Sequence, residues 1–382
     1  MKYLSFLFII VISISLSCKE KSKEIAKDES SQSGQQEWLY FEGESSKPHI
    51  VFVSGDEEYR SEEALPALAK IMNQHHGFNC TVLFAQDPAA PGIINPNYGE
   101  NIPGLEHLAS ADLMVNFTRF RALPDDQMQH FDNYLKSGKP VIGIRTATHA
   151  FHFKKPAPNS KWAYYGNYSE GEDKWTGGFG RLVLGEKWIS HHGHHRHQST
   201  RGIIEGDAGS HPILTGITSG DIWCPTDVYG VRLPLPGDSK VLVLGQVINR
   251  EADYDEEDLL YGMRDTDTEV ATENEKNKDV VNPNDPMMPV AWTKSYQIPG
   301  GKEGKVFAST IGASTDLLND ATRRMFVNAM HWLTDQSIPS NANIDFIGIY
   351  KPTAFSFVDD DYWVTRNTTV ASMDLKKKGA VD

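Results

Sequence analysis

Four polar segments of the chain carry residues able to move protons, hold anions or bind a metal ion. The first is Gly55 to Ser61, where Asp56, Glu57 and Glu58 are consecutive carboxylates suited to acid–base work. Tyr59 and Arg60 follow, and free N–H groups at a helix start beside Arg60 can hold an anion or sugar hydroxyls. The competing reading of this segment is a solvated cap in which only Ser61 matters. In the second segment, Phe117 to Arg121, Arg119 and Arg121 flank an aromatic ring. That pattern suits bidentate recognition of a carboxylate or stacking on a sugar ring, and it equally suits structural pairing with the acids of the first loop. The third, Gly143 to Phe151, has the outline of a nucleophile elbow without a Ser or Cys at its apex. Arg145 or Thr146 occupies the tip, and His149 follows one turn later as a general base or substrate donor.

The fourth segment, His191 to His197, is the densest. Clustered imidazoles can bind a divalent metal, with His192 and His195 as the candidate ligands. Gly193 disfavours a regular helix there, and the glutamate of H-E-x-x-H is absent. Substrate hydrogen bonding by His194 and His195 is the alternative, and an exposed loop with incidental histidines is the plainest. The sequence names no cofactor beyond that possible metal. Two later stretches place Trp223 with Asp227, and Trp292, beside acids and amides, a pairing that suits the apolar faces and hydroxyls of sugars; core packing is the default for each aromatic taken singly.

The elements around these segments alternate. Continuous apolar runs predict strands over His49–Ser54, Asn79–Phe84, Leu113–Asn116 and Pro140–Ile144, with later strands at Lys240–Val247, Pro289–Lys294 and Lys305–Thr310. Ser61 is positioned to cap a helix to about His76, with Glu62 and Glu63 in its first turn and Pro66 slightly deep. A second helix starts at Asp125 and stops at Gly138, and a third spans Asp320–Asp335. Strands alternating with helices imply an α/β, flavodoxin-like three-layer sandwich with a mostly parallel sheet. Ligands bind such sheets at the carboxyl ends of the strands, where the first three polar segments fall.

The chain has 382 residues, a net charge of −14 and 39% hydrophobic residues, so it is globular. Acidity without a basic cluster argues against a nucleic-acid partner. Three cysteines exclude a disulfide scaffold, and Cys80 reads as a buried inert thiol. Lys2 followed by the apolar run Leu4–Leu16 reads as a signal peptide over residues 1–17, ending at Cys18 as the lipidation site. Residues 18–47 read as a flexible tether, 48–352 as the folded domain with an acidic insertion or lid at 251–279, and 353–382 as an extension whose end, from Asn367, frays. The expected location is the periplasm or cell surface, held to the membrane by the lipid.

The segments SGDEEYRSEEALP, FTRFRALPDDQM, GIRTATHAF, HHRHQSTRGI, HPILTGI, DIWCPTDVY, NDPMMPVAW and RRMFVNAMHW resemble those of the ThuA-like family, which shares the class I glutamine amidotransferase-like fold. The resemblance covers about His49 to Pro352 and implies a link to disaccharide and keto-sugar breakdown. An amidotransferase needs a cysteine at the elbow, where this chain has Arg145, and a histidine with an acid where it has Ser309-Thr310-Ile311-Gly312. A glutaminase is therefore excluded. The expectation is a carbohydrate-active hydrolase, lyase or isomerase cleaving or rearranging a disaccharide or keto-sugar. The alternative is a non-catalytic saccharide-binding or accessory protein on a degenerate amidotransferase fold.

Overall fold

The computed structural model describes residues 35–153, 161–169, 175 and 177–375. In chain order these form β1 (Trp38–Phe41), β2 (His49–Gly55), α1 (Ser61–His76), β3 (Asn79–Phe84), β4 (Leu113–Thr118), α2 (Asp125–Lys136) and β5 (Val141–Ile144). There follow β6 (Gln198–Ile204), β7 (Trp223–Cys224), β8 (Lys240–Asn249), β9 (Met288–Tyr296), β10 (Gly304–Ser309), α3 (Asp320–Leu333) and α4 (Asp360–Arg366). One sheet holds every strand in the order β1-β3-β2-β4-β5-β10-β9-β8-β6-β7.

The middle of the sheet, β3-β2-β4-β5-β10, is parallel. Its strands are apolar on both faces because both faces are covered. Along β2, Ile50 and Phe52 enter the core beneath α1 and α3, while Val51 and Val53 enter the core beneath α2. Met128, Phe131 and Leu135 of α2 fill the second core, and Phe326, Val327, Met330 and Leu333 of α3 the first. The outer pairings are all antiparallel. Parallel pairing needs a crossover, usually a helix, and the described chain between β6 and β10 supplies no α-helix. The expected parallel sheet is thus confined to the half that carries the first three polar segments.

Several boundaries differ from expectation. Trp38–Phe41 is an antiparallel edge strand on β3 with Leu39 and Phe41 buried, so the folded chain begins inside the stretch read as tether. Ser61 opens α1 without capping it; its hydroxyl turns inward to Ser54 Oγ (2.8 Å) and accepts the Asp56 N–H (3.0 Å). Residues 251–279 are anchored on the sheet by buried Tyr261, Met263 and Ala271, which leaves no free lid. The C-terminal extension also docks, through buried Phe355, Trp363 and Val370, so fraying does not begin at Asn367. Cys80 and Cys224 are buried free thiols. Lys2, the Leu4–Leu16 run and Cys18 lie outside the described residues. Among the described residues no helix is long and apolar enough to cross a membrane.

His331 on α3 faces His76 at the end of α1, with Nε2 3.1 Å from His76 Nδ1. Burial, then the His76 and Lys47 charges, lower the His331 pKa to about 4. The folded state therefore resists a proton that the unfolded chain accepts near 6.5. The sign follows from linkage: stability is complete above about pH 6.5 and declines as pH falls toward about 4. Urea unfolding between pH 7.5 and pH 4.5 should show this decline, and His331→Gln should flatten it by up to about 3 kcal/mol.

Candidate functional site

The loop after β2 puts its three adjacent carboxylates to three different uses. Asp56 is fully buried and folds the loop back on itself, accepting from the backbone N–H groups of Glu58 (2.9 Å) and Tyr59 and from the Thr146 hydroxyl (2.5 Å). It is a clamp with no carboxylate edge left for a substrate. Glu57 is spanned by Arg119 and by Arg121, the latter at 2.7 Å. Arg121 also donates to the carbonyls of Pro96 (2.8 Å) and Tyr98 (3.1 Å), so its guanidinium is consumed by structure. Glu58 has no hydrogen-bonded clamp. Its carboxylate lies 3.6 Å from Arg119 Nε and 3.5 Å from His195 Nε2, and burial pushes its pKa up to about 7 against the pull of Arg119.

The turn after β5 is as sharp as its sequence implies. Arg145 takes a left-handed backbone, φ 47°, and its side chain is fully buried. The guanidinium donates to the carbonyls of Asp227 (2.7 Å) and Thr310 (2.6 Å), to Tyr59 Oη (3.1 Å) and to Asp227 Oδ1 (3.0 Å). The rings of Tyr229 and Tyr59 sit against it at 3.8 and 4.4 Å. Burial opposes ionisation of Asp227, yet the His191 and Arg145 charges outweigh it and hold the carboxyl well below the usual range.

His191 and His195 both turn Nδ1 to this carboxylate, at 2.8 Å (Oδ2) and 3.1 Å (Oδ1). The loop reaches that position because the N–H groups of His192 and Gly193 both donate to the Val228 carbonyl. Gly193 passes so close that a Cβ there would lie 3.2 Å from Asp227 Cβ. Burial lowers the His195 pKa despite Asp227; for His191, Asp227 overcomes burial and raises it. His149 is buried against Phe120, Trp188 and Tyr229, with Nδ1 3.1 Å from Thr148 Oγ1. Burial, then the Arg119 and Arg145 charges, hold it well below 6.5, so its ring is neutral.

Glu58, Arg119, Arg145, His149, His195 and Asp227 therefore converge at the carboxyl ends of the parallel strands, with Asp56, Tyr59 and Thr146 packed behind them. Other expected site residues do not join them. The expected metal pair of His192 with His195 is not brought together, because His192 Nε2 sits 2.9 Å from the Pro283 carbonyl. Among the described residues, His191, His195 and Asp227 are the group whose ligand atoms all lie within 4.8 Å of one another. His194 stacks on His197 at 4.0 Å instead of facing the site. Arg60 is buried under Trp363 and bonded to Thr353, Ser356 and the Glu57 carbonyl. Trp292 and Trp223 are core residues, their indole N–H groups given to the Leu184 carbonyl (2.7 Å) and Ser199 Oγ (3.2 Å).

Aromatic rings also surround the site, and three of them, Trp188, Phe355 and Phe357, were not singled out from the sequence. Trp188 lies between His149 and His191, at 5.4 and 5.9 Å, and Tyr229 covers Arg145. From the C-terminal extension, Phe355 stacks on Tyr59 at 5.4 Å and packs on His195, while Phe357 lies over the Arg119 guanidinium at 4.7 Å. The F-S-F spacing, two rings on one side of an extended chain, was the available signal for the last pair.

The profile of the ThuA family, described as trehalose utilisation, matches residues 49–333. A solved ThuA-like protein from Bacteroides uniformis is 14% identical, with a TM-score of 0.43 over 76% of this chain and 93% of that one. A second, from Parabacteroides merdae, is 14% identical, with a TM-score of 0.39 over 82% of this chain and 98% of that one. An exo-β-1,4-mannosidase from an Opitutaceae bacterium is 8% identical, with a TM-score of 0.27 over 75% of this chain and 36% of that one. No curated protein matches the chain. Phe355 and Phe357 lie beyond the range the family profile matches.

The buried Arg145–Asp227 pair fixes the site, and removing the guanidinium leaves the buried Asp227 charge to the two imidazoles alone. Arg145→Met should lower the unfolding free energy by about 3–5 kcal/mol, read from the urea midpoint.

Proposed function

Because the chain belongs to the ThuA, trehalose-utilisation family, we propose that it acts in saccharide catabolism, binding a disaccharide or keto-sugar beside Glu58, Arg119 and the His191–His195 pair and cleaving or rearranging it by proton transfer. The observation that carries this reading is the division of labour in the loop after β2. Asp56 and Glu57 are tied down by hydrogen bonds, while Glu58 faces His195 and Arg119 without a clamp. A carboxylate so placed accepts a proton from a sugar hydroxyl or from a carbon next to a carbonyl. Arg119, fixed by Glu57 and by the rings of Phe120 and Phe357, offers a positive charge where negative charge develops. Asp227 holds the two imidazoles in one orientation, so either can donate or accept opposite Glu58.

Thioester chemistry has no support in this site. Arg145 stands at the turn where an amidotransferase needs its nucleophile, and the Cys80 and Cys224 thiols are buried in the core with raised pKa values. The neutral, enclosed His149 serves as a wall of the cleft. In this proposal the protein works at the periplasmic or outer face of a membrane, tethered through a lipid on Cys18, a reading supported by the apolar Leu4–Leu16 run before that cysteine.

Incubation of the purified protein with a panel of disaccharides and their keto derivatives tests the activity. Product should form, and Glu58→Gln should lower kcat/KM by about 10²–10⁴ while saccharide binding persists. Saturable binding without product would transfer the site to an accessory role. Turnover unaffected by Glu58→Gln would remove Glu58 from the chemistry.

A further inference from the structure

The cluster of His191, His195 and Asp227 has a geometry that imidazole–carboxylate hydrogen bonding does not fully use. We propose that these three residues bind one divalent transition-metal ion as a two-histidine, one-carboxylate site, with Glu58 and Arg145 as its outer supports.

The spacing fits. Nitrogen and oxygen ligands lie about 2.0–2.2 Å from such an ion, so two of them at right angles are separated by about 3.0 Å. The two imidazole–carboxylate separations are 2.8 Å (His191 Nδ1 to Oδ2) and 3.1 Å (His195 Nδ1 to Oδ1), close to that value, and one ligand atom from each residue lies within 4.8 Å of the other two, so binding draws the two partly exposed imidazoles together. Two imidazoles and one carboxylate on one side of an ion leave the remaining positions open, the arrangement that suits Fe(II), Mn(II) or a zinc ion of expanded coordination.

The surroundings fit as well. Metal-bound imidazoles present their second nitrogen to an acceptor, and metal-bound carboxylates are themselves hydrogen-bonded. His195 bound through Nδ1 presents Nε2 to Glu58 Oε1, 3.5 Å away, a buried carboxylate whose other charged neighbour among the described residues is Arg119 Nε at 3.6 Å. Asp227 is oriented from behind by Arg145, which donates both to its Oδ1 and to its backbone carbonyl. The Arg145 charge also tempers the affinity, since it shares the carboxylate with the ion. Burial is graded in the required sense: the Asp227 side chain is fully enclosed, while those of His191 and His195 are 36% and 23% exposed. The open positions therefore face solvent, where a vicinal diol or hydroxy-ketone of a sugar could chelate. The other histidines of the loop point elsewhere, His192 to the Pro283 carbonyl and His194 to His197, and serve as internal controls.

The ion site does not rest on the saccharide reading, because uptake is measured without sugar. Untagged protein is stripped with chelator and dialysed against micromolar Zn²⁺, Mn²⁺ or Co²⁺, and bound metal is quantified. About one ion per chain is expected, with a rise in melting temperature and a visible Co²⁺ spectrum. His191→Ala should weaken binding at least 100-fold, Glu58→Gln by about 10–100-fold, and His194→Ala should leave it unchanged. His191 is partly exposed, so near-UV circular dichroism of His191→Ala should match the parent. Failure to retain metal, or equal uptake by His191→Ala and the parent, would falsify the site. Metal bound without turnover of any saccharide would uphold it while removing the catalytic proposal.

Discussion

The guanidinium of Arg145 is the constraint on which the rest of the site depends. Enclosing a charge without water costs several kcal/mol unless its donors are met, and here three segments meet Nη1 and Nη2, while Nε has no partner among the described residues. The Asp227 carboxylate and carbonyl come from the loop after β7, the Thr310 carbonyl from the end of β10, and Tyr59 Oη from the loop after β2. The turn itself closes β5. One side chain therefore ties together the ends of strands far apart in sequence, and the aromatic faces of Tyr59 and Tyr229 exclude water from it. Asp227 is drawn to the centre by that charge, and His191 and His195 are in turn oriented by Asp227.

Of the seven described non-glycine residues with positive φ, four lie in the loops around this charge, and Tyr261, Asp335 and Asn367 lie elsewhere. Arg60, Phe120, Arg145 and Arg196 all have positive φ, at 61°, 47°, 47° and 63°. Each such conformation in a residue with a side chain costs about 1–2 kcal/mol, and all four lie in the four polar segments that carry the site residues or in the turns beside them. At Arg196 the left-handed residue follows His195 directly and lets the chain fold away once that ring has reached Asp227. At Phe120 it separates Arg119, which faces the cleft, from Arg121, which faces the interior. Strain held by surrounding contacts is a feature of sites where position matters more than local stability.

How much of this was legible in the sequence depended on whether local pattern or distant contact decided each feature. The parallel strands and helices could be read closely: Asn79–Phe84 and Ser61–His76 form over the expected residues, because a continuous apolar run marks the strand and Ser61 with the acids Glu62 and Glu63 marks the helix start. β1 escaped notice because four residues beside a polar stretch give too short a pattern, and β6, whose sequence is QSTRGII, because a half-polar strand next to a histidine loop has no distinctive period. The site was legible as four polar segments but not as roles. That Asp56 clamps, Glu57 bridges and Glu58 stays open follows from Thr146, Arg121 and His195, all remote in sequence. Which histidines face inward is set by the turns at Gly193 and Arg196, and the contributions of Phe355 and Phe357 by a chain segment more than 150 residues further on. Trp223 and Trp292 were misplaced because an indole beside polar residues fits a core strand as well as a sugar platform.

The turn after β5 shows how a fold can keep a geometry while changing its use. A nucleophile elbow accepts a strained residue so that a reactive atom projects outward from the sheet. Here the strained residue persists as Arg145, but its side chain points inward and is fully buried. The benefit of the turn has become the placement of a positive charge beneath the cleft. Such a charge cannot attack a substrate, yet it keeps Asp227 ionised where burial alone would not, and an ionised Asp227 is what two imidazoles need in order to share one orientation. In the proposed chemistry the reacting groups sit not at the tip of β5 but on two other loops, Glu58 on one and His191 with His195 on the other. Chemistry in this protein is consequently expected where those loops face each other, with the elbow as their common foundation.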